Sequence, residues 1–516
     1  VATYRVPSFN RPGLQPVSRT LGGLAVSESG AYSIAAEAAS FTLTGQAVGV
    51  KAARQLPAAA ASFTLAGQSV GLRRGYPLAA GAASFALTGQ DVALRRAAKL
   101  PAGAGAFALT GQAVTPRAAR RVAVDAGAFT LNGQAVALRR GVSLPAGVGA
   151  FSLAGQAINL RAARMIPAGA GAYVHTGQAV NLRADRRLAA EAGAFTLTGQ
   201  DVTLTAASSL AIAAGVGAFA LTGVAASLRA ARVLQAGAGA FSLAGQAVAL
   251  SRGFRLAVDP AAFVLSGQAA SLRRDARLSA QAGAYVLTGQ NVSLRAGRLV
   301  QAGTGAYALT GQAVGLRAGR KIGAGAGAFV LDGQAVTLTI NASYAIAAGA
   351  GTFVLTGSDV GLRATRVLIV GRGDFALSGQ AVTPRRGLRI AAGAGAFTLA
   401  GADVALRRGA VISPAPGVFV LGGADVALRA TRVIFTDAGA FILTGADVDL
   451  FASGVYVWWP SEVLMGAGLA SSVTIGAGLA SAVTLGAGLA SDVDIGAGLA
   501  SAVVLGPGLP SSVELG

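Results

Sequence analysis

One short string, Leu-Thr-Gly-Gln with close variants, recurs at an almost fixed interval and decides what this chain can fold into. Its glycine falls at Gly45, Gly67, Gly89, Gly111 and onward to Gly445, in 16 steps of 22 residues and two of 24. That makes 19 copies between about Ile34 and Val455 in a chain of 516 residues. A fixed period of this size marks a repeat architecture. The three or four ordinary domains that the length alone would suggest are set aside.

The columns of the repeat carry more than its period. Four residues before the glycine every copy has an aromatic residue, from Phe41 and Phe63 through Tyr173 and Tyr285 to Phe441. Two before it stands Leu, except in the copy where His175 takes the place. Val and Leu follow in most copies three and five after it, as at Val92 and Leu94, and Leu, Ile or Val always lies eleven before it, as at Leu100 and Ile322. Spacing of two places these residues on one face of a strand. The pattern predicts two strands flanking Gly-Gln and a third, shorter strand of the form Leu-x-Ala. Read locally, Gly-Gln is the type II′ turn of a hairpin, with Leu opposite Val and the aromatic opposite Leu. Helix is disfavoured, because Gly, Val and Thr recur where a helix would hold Ala, Glu or Lys.

The expected fold class is therefore all-β, an elongated repeat fibre of 19 strand–turn–strand units. One such unit cannot bury its single aromatic face, so copies stack or several chains wrap about one axis. In a single-chain β-solenoid each copy rises by about 4.8 Å, whereas in a multi-chain β shaft it advances ~10–15 Å. The hairpin register and the thin core favour the multi-chain shaft, a homotrimer that pools Phe and Leu from three chains; the constant step favours the solenoid. Both 24-residue steps add length just after the second strand, at Thr205-Ala-Ala-Ser-Ser and Thr339-Ile-Asn-Ala-Ser. Other copies carry basic residues there, which marks this as the outward corner. The Gly-Gln corner, nearly constant in length, is expected to tuck against a neighbour.

The ends differ from the shaft. Residues 1–33 carry Pro7, Pro12 and Pro16 among Arg5, Arg11 and Arg19 and read as an extended attachment arm. Val1 to Thr20 lacks the apolar core and small-residue cleavage site of a signal peptide, so export by that route is not expected. The repeat shaft covers 34–455. Residues 456–516 open with Tyr456, Trp458 and Trp459, a candidate cap or tip, and continue as a ten-residue repeat beginning GAGLASSVTI at Gly466, read as a smaller β-coil or meander.

Composition narrows the chemistry. With no Cys, a thiol nucleophile and a thiolate metal site are excluded, and His175 is the single His on which a triad could be built. As the occupant of a Leu column, it reads as a core substitution. Asp91, Asp201, Asp359, Asp403, Asp425 and Asp447 follow the Gly-Gln corner and would form a Ca²⁺ ladder only if most copies had Asp there, but most have Ala. No catalytic constellation or cofactor is expected, and the chain is read as a non-enzyme. The uncharged window Thr203 to Leu228 reads as β structure and not as a membrane span. The remaining signal is charge: 42 Lys and Arg against 21 Asp and Glu give a net +21. Arginines cluster after the second strand at Arg73, Arg74, Arg95, Arg96, Arg139, Arg140, Arg161, Arg273 and Arg274. A stripe of this kind attracts polyanions, nucleic acid or anionic surface glycan alike, or keeps an apolar fibre soluble.

The string GAFALTGQAVALR, carried with variations from Ala39 to Leu450, resembles repeats in structural proteins of tailed bacteriophages, including tail-fibre-like proteins. In architecture it is also similar to viral fibre shafts, with a longer period and a third strand as departures. The resemblance implies a virion structural or adsorption role, docking to other virion proteins through the arm, and no catalytic residues. A secreted self-assembling filament or functional amyloid is the competing expectation.

Overall fold

The computed structural model describes residues 25–27 and 41–458, apart from short stretches between strands, and the strands of the C-terminal region from Glu462 to Leu515. Most of the arm lies outside the described residues. Every described element is a strand, and every strand pairing with a described register is parallel; the chain divides into two compact units, Val1–Phe254 and Arg255–Gly516.

Within the first unit each strand pairs with the equivalent strand one copy further on. The aromatic column runs Phe63↔Phe85↔Phe107↔Phe129, the Val column Val92↔Val114↔Val136, and the third strands align Ile166↔Leu188↔Ile212. The second unit repeats the scheme, with Phe375↔Phe397↔Phe419, Leu294↔Leu316 and Val300↔Ile322. Each copy is one rung of a single-chain β-solenoid, with three strands to a turn. Alternation decides which side faces in: Ser84–Thr88 shows exposed and buried residues by turns, with Phe85 and Leu87 inside. Phe107, Leu109 and Val114 are 0% exposed, and one chain supplies everything that covers them. Ring centroids from Phe63 to Phe241 follow one another at 4.6–5.0 Å with planes within 4°. That rise is one strand spacing. Burying each ring contributes about 1.5–3 kcal/mol by area, and offset stacking adds roughly 0.5–1.5.

Two expectations are corrected. The hairpin does not form: Leu87 pairs with Leu109 of the next copy, not with Val92 of its own. In Ala194–Ala206 and Ala306–Ala318 the strand runs straight through Gly-Gln, and Gly199↔Gly223 and Gly311↔Gly333 are rungs of the ladder themselves. The corner bends without reversing, so the argument for three chains pooling a thin core falls with the hairpin. The glycine is also there for a different reason than a type II′ turn. None of the described corner glycines has left-handed backbone; a Cβ on Gly89 would instead stand under 3.0 Å from the carbonyl oxygen of Gly67 in the preceding rung. The rungs approach too closely for a side chain. Hydrogen bonds fasten this corner along the stack: the Gly67 N–H donates to the Thr88 carbonyl (3.0 Å) and the Asp91 N–H to the Gln68 carbonyl (2.9 Å). The glycine is tucked against its neighbour as expected, but the Gln side chains point to solvent.

A second corner, before the aromatic residue, follows the same rule. Gly127 lies over Gly105, where again a Cβ would meet a carbonyl, and Gly127 N–H donates to the Gly103 carbonyl (2.6 Å). The third corner is the elastic one. Pairing keeps an offset of 22 up to Ala184↔Ala206 and resumes at 24 with Arg187↔Ala211; the same jump separates Ala318↔Ile340 from Ile322↔Ile346. Both insertions sit where the sequence placed them.

In the C-terminal region the decapeptides form a coil and not a meander. Val463↔Val483↔Val503 stack in one sheet and Val473↔Val493↔Val513 in another, so two ten-residue units make one turn. Tyr456–Trp458 forms a strand in register with Val433–Phe435, in the third-strand column, and Glu462–Met465 then continues the first-strand column. Trp459 lies outside the described residues.

Candidate polyanion interface

The second strand ends on an outward position, since Val and Leu three and five after the corner glycine point in. That outward position is the arginine column. Arg95, Arg161, Arg183 and Arg229 of the first unit are exposed, as are Arg273, Arg295 and Arg317 of the second. Backbone register places them in line: Arg73↔Arg95↔Arg117↔Arg139↔Arg161↔Arg183, with Lys51↔Arg73 extending the series. In the second unit Arg273↔Arg295↔Arg317 and Arg363↔Arg385↔Arg407↔Arg429 flank Thr339, just as Thr205 follows Arg183 in the first. The column is thus broken at the two copies that carry insertions, and again where Ser251 and Phe451 take the place six after Gly245 and Gly445.

Of the arginines the sequence singled out, Arg73, Arg95, Arg139, Arg161 and Arg273 share this column. Arg74, Arg96 and Arg274 occupy the next strand position, and Arg140 lies outside the described residues. Sequence reasoning left out Arg183, Arg229, Arg295 and Arg317, whose signal was their fixed place six after the corner glycine. Among the described residues, none of the seven exposed arginines is held in an ion pair. Asp91, the outward acid of the same strand, sits four residues before Arg95, roughly 13 Å along the strand and beyond a physiological Debye length of about 8 Å.

Other candidates assemble less. Asp403↔Asp425↔Asp447 are neighbours in register, but no group able to hold a metal ion occurs among the described residues. Gln112, Gln134 and Gln156 line a shallow groove of about 480 Å³ with Thr110 and Asn132 along the Gly-Gln corner. The corner before the aromatic column carries a longer groove of Ala and Gly with Val148 beside it. No helix long and apolar enough to cross a membrane occurs among the described residues, and the strands Ala194–Ala206, Ala211–Ala214 and Ala218–Ala236 take up most of the window from Thr203 to Leu228, as the β reading expects.

His175 sits in the Leu column between Leu153 and Leu197 and is 0% exposed. Its ring lies 4.8 Å from that of Tyr173, and among the described residues neither imidazole nitrogen nor the Tyr173 hydroxyl has a hydrogen-bond partner. Burial lowers the imidazole pKa to about 3 and raises that of the phenol. A neutral imidazole enclosed by Phe151, Phe195, Leu153 and Leu197 has no access to substrate, which agrees with a core substitution. Compared with family models, curated proteins and solved structures, the chain matches none.

Proposed function

We propose that this chain is a structural protein of a tailed-bacteriophage virion, a fibre or spike that attaches to the host surface. The observation that carries the reading is the repetition of one rung, with the same inward columns and an outward arginine in most copies, in both units. A protein built this way sets distance and presents a surface many times over; its side chains do not converge on a reacting atom. The arm at 1–33 docks to other virion proteins, and the decapeptide coil lies at the opposite end of the sequence. One closed chain buries its own aromatic column, so a single copy of the shaft suffices and assembly into trimers is a separate property of the exposed faces.

Mass spectrometry of purified virions tests the proposal. The polypeptide is expected among the particle proteins, and its absence from them overturns the reading. The second reading, a self-assembling filament, is favoured by one feature: a parallel stack whose columns continue from rung to rung is a template that a further copy extends. Purified chain that seeds fibres of indefinite length would select it.

A further inference from the structure

We propose that the arginine column is a binding face for a linear anionic polysaccharide bearing one carboxylate per sugar, laid along the stack. The spacing is the first argument. Ring centroids place successive rungs 4.8 Å apart in the first unit, and backbone register sets one arginine per rung on the six rungs from Arg73 to Arg183, of which Arg95, Arg161 and Arg183 are exposed. A linear polymer laid along the stack meets these arginines in series, so each carboxylate that reaches one adds an ion pair to a chain already held. The planar guanidinium fork matches a carboxylate with two parallel N–H···O bonds, which gives the match geometry as well as charge.

Nucleic acid fits the same face poorly. A duplex carries one phosphate per ~1.7 Å of axis, far denser than one arginine per rung of the column. Non-specific single-strand binding also uses exposed aromatic side chains on which bases stack. Here the aromatic column from Phe63 to Phe419 is buried, and the outward neighbours of Arg95 and Arg161 on their strands are Ala93 and Asn159. This inference takes only its setting from the attachment reading. A chain absent from virions that still binds the polymer would end that reading and leave this one standing.

The test uses the full chain and labelled polygalacturonate fragments of graded length, followed by fluorescence anisotropy. Affinity is expected to rise with fragment length as more carboxylates meet arginines, and to fall steeply with added salt. The triple variant R95Q/R161Q/R183Q, checked for unchanged circular dichroism, should bind at least tenfold more weakly. Arg372, exposed at the Gly-x-Gly corner and outside the column, provides the control, and Arg372→Gln should bind within twofold of the parent. Fully methyl-esterified polymer, with the same backbone and no charge, should not bind. Equal binding by the triple variant, equal binding of the methyl ester, or tighter binding of single-stranded DNA of matched charge would each overturn the proposal.

Discussion

In the first unit Gly105 and Gly127 lie one above the other, and a Cβ on the upper residue would press against the carbonyl of the lower. On the far side of the same kind of rung, the chain takes in two extra residues between Ala206 and Ala211 and pairing resumes undisturbed. One corner refuses a single methyl group; the other accepts two whole residues. The difference lies in what each corner stacks on. At the glycine corners backbone meets backbone, joined from rung to rung by hydrogen bonds such as Ala128 N–H to the Gly105 carbonyl, 3.2 Å. Backbone so pinned cannot retreat. At the third corner the outward side chain is a solvated arginine, and loop closure adds only a small entropic cost for longer connections.

The sharpest way to break this contrast is to add volume at a tight corner. Gly127→Val should cost at least about 4 kcal/mol, read as a fall in the urea midpoint, because the obstacle is main chain and not a flexible side chain. Gly71 lies on an outward strand position with nothing within 4 Å of an added Cβ, so Gly71→Ala should stabilise by a few tenths to about 1 kcal/mol. Equal effects at the two sites would dissolve the distinction between them.

Acid probes the interior of the same stack. The folded-state pKa of His175, lowered to about 3, lies below the ordinary 6.5 of an exposed imidazole. Folding therefore favours the neutral ring: its contribution is complete above pH 6.5 and is lost as pH falls through the window between the two values. At pH 4 the loss should reach about 3 kcal/mol relative to pH 7, with the amides of rungs 151–197 exchanging first. His175→Leu restores the column and should remove most of this dependence. An unchanged acid midpoint in that variant would place the sensitivity elsewhere.

The elastic corner is expected to give the smaller numbers. Inserting Ala-Ser after Ala184, copying the natural insertion after Ala206, should lower stability by less than about 1 kcal/mol. Arg95→Gln should fall within about 0.5 kcal/mol of the parent, since exposed charge contributes little to folding. A loss of several kcal/mol in either would show that this corner is packed after all.

Much of the fold was legible in the sequence: the inward columns, the third strand at segments such as Met165–Ala168, and the site of both insertions. The pairing partner was not. Phe-x-Leu-Thr-Gly-Gln-x-Val-x-Leu shows the same two-residue alternation whether Leu faces the Val beyond its own corner or the Leu 22 residues on. The discriminating sign was the second glycine column, at Gly105, Gly127 and Gly149, for which a hairpin at Gly-Gln offers no use. For the site, composition gave the arginines and periodicity their common column, but only the parallel register turned a basic stretch into arginines on successive rungs.

Because every rung meets its neighbours through the same columns, any rung flanked by others of equal length can be removed without leaving an unmatched surface. Unequal exchange between two copies of the coding repeat, 22 codons apart, therefore yields a chain whose remaining contacts are all of kinds already present. Its length changes by one ~4.8 Å step per copy. The stack behaves as a ruler graduated in codons, on which reach is inherited as copy number.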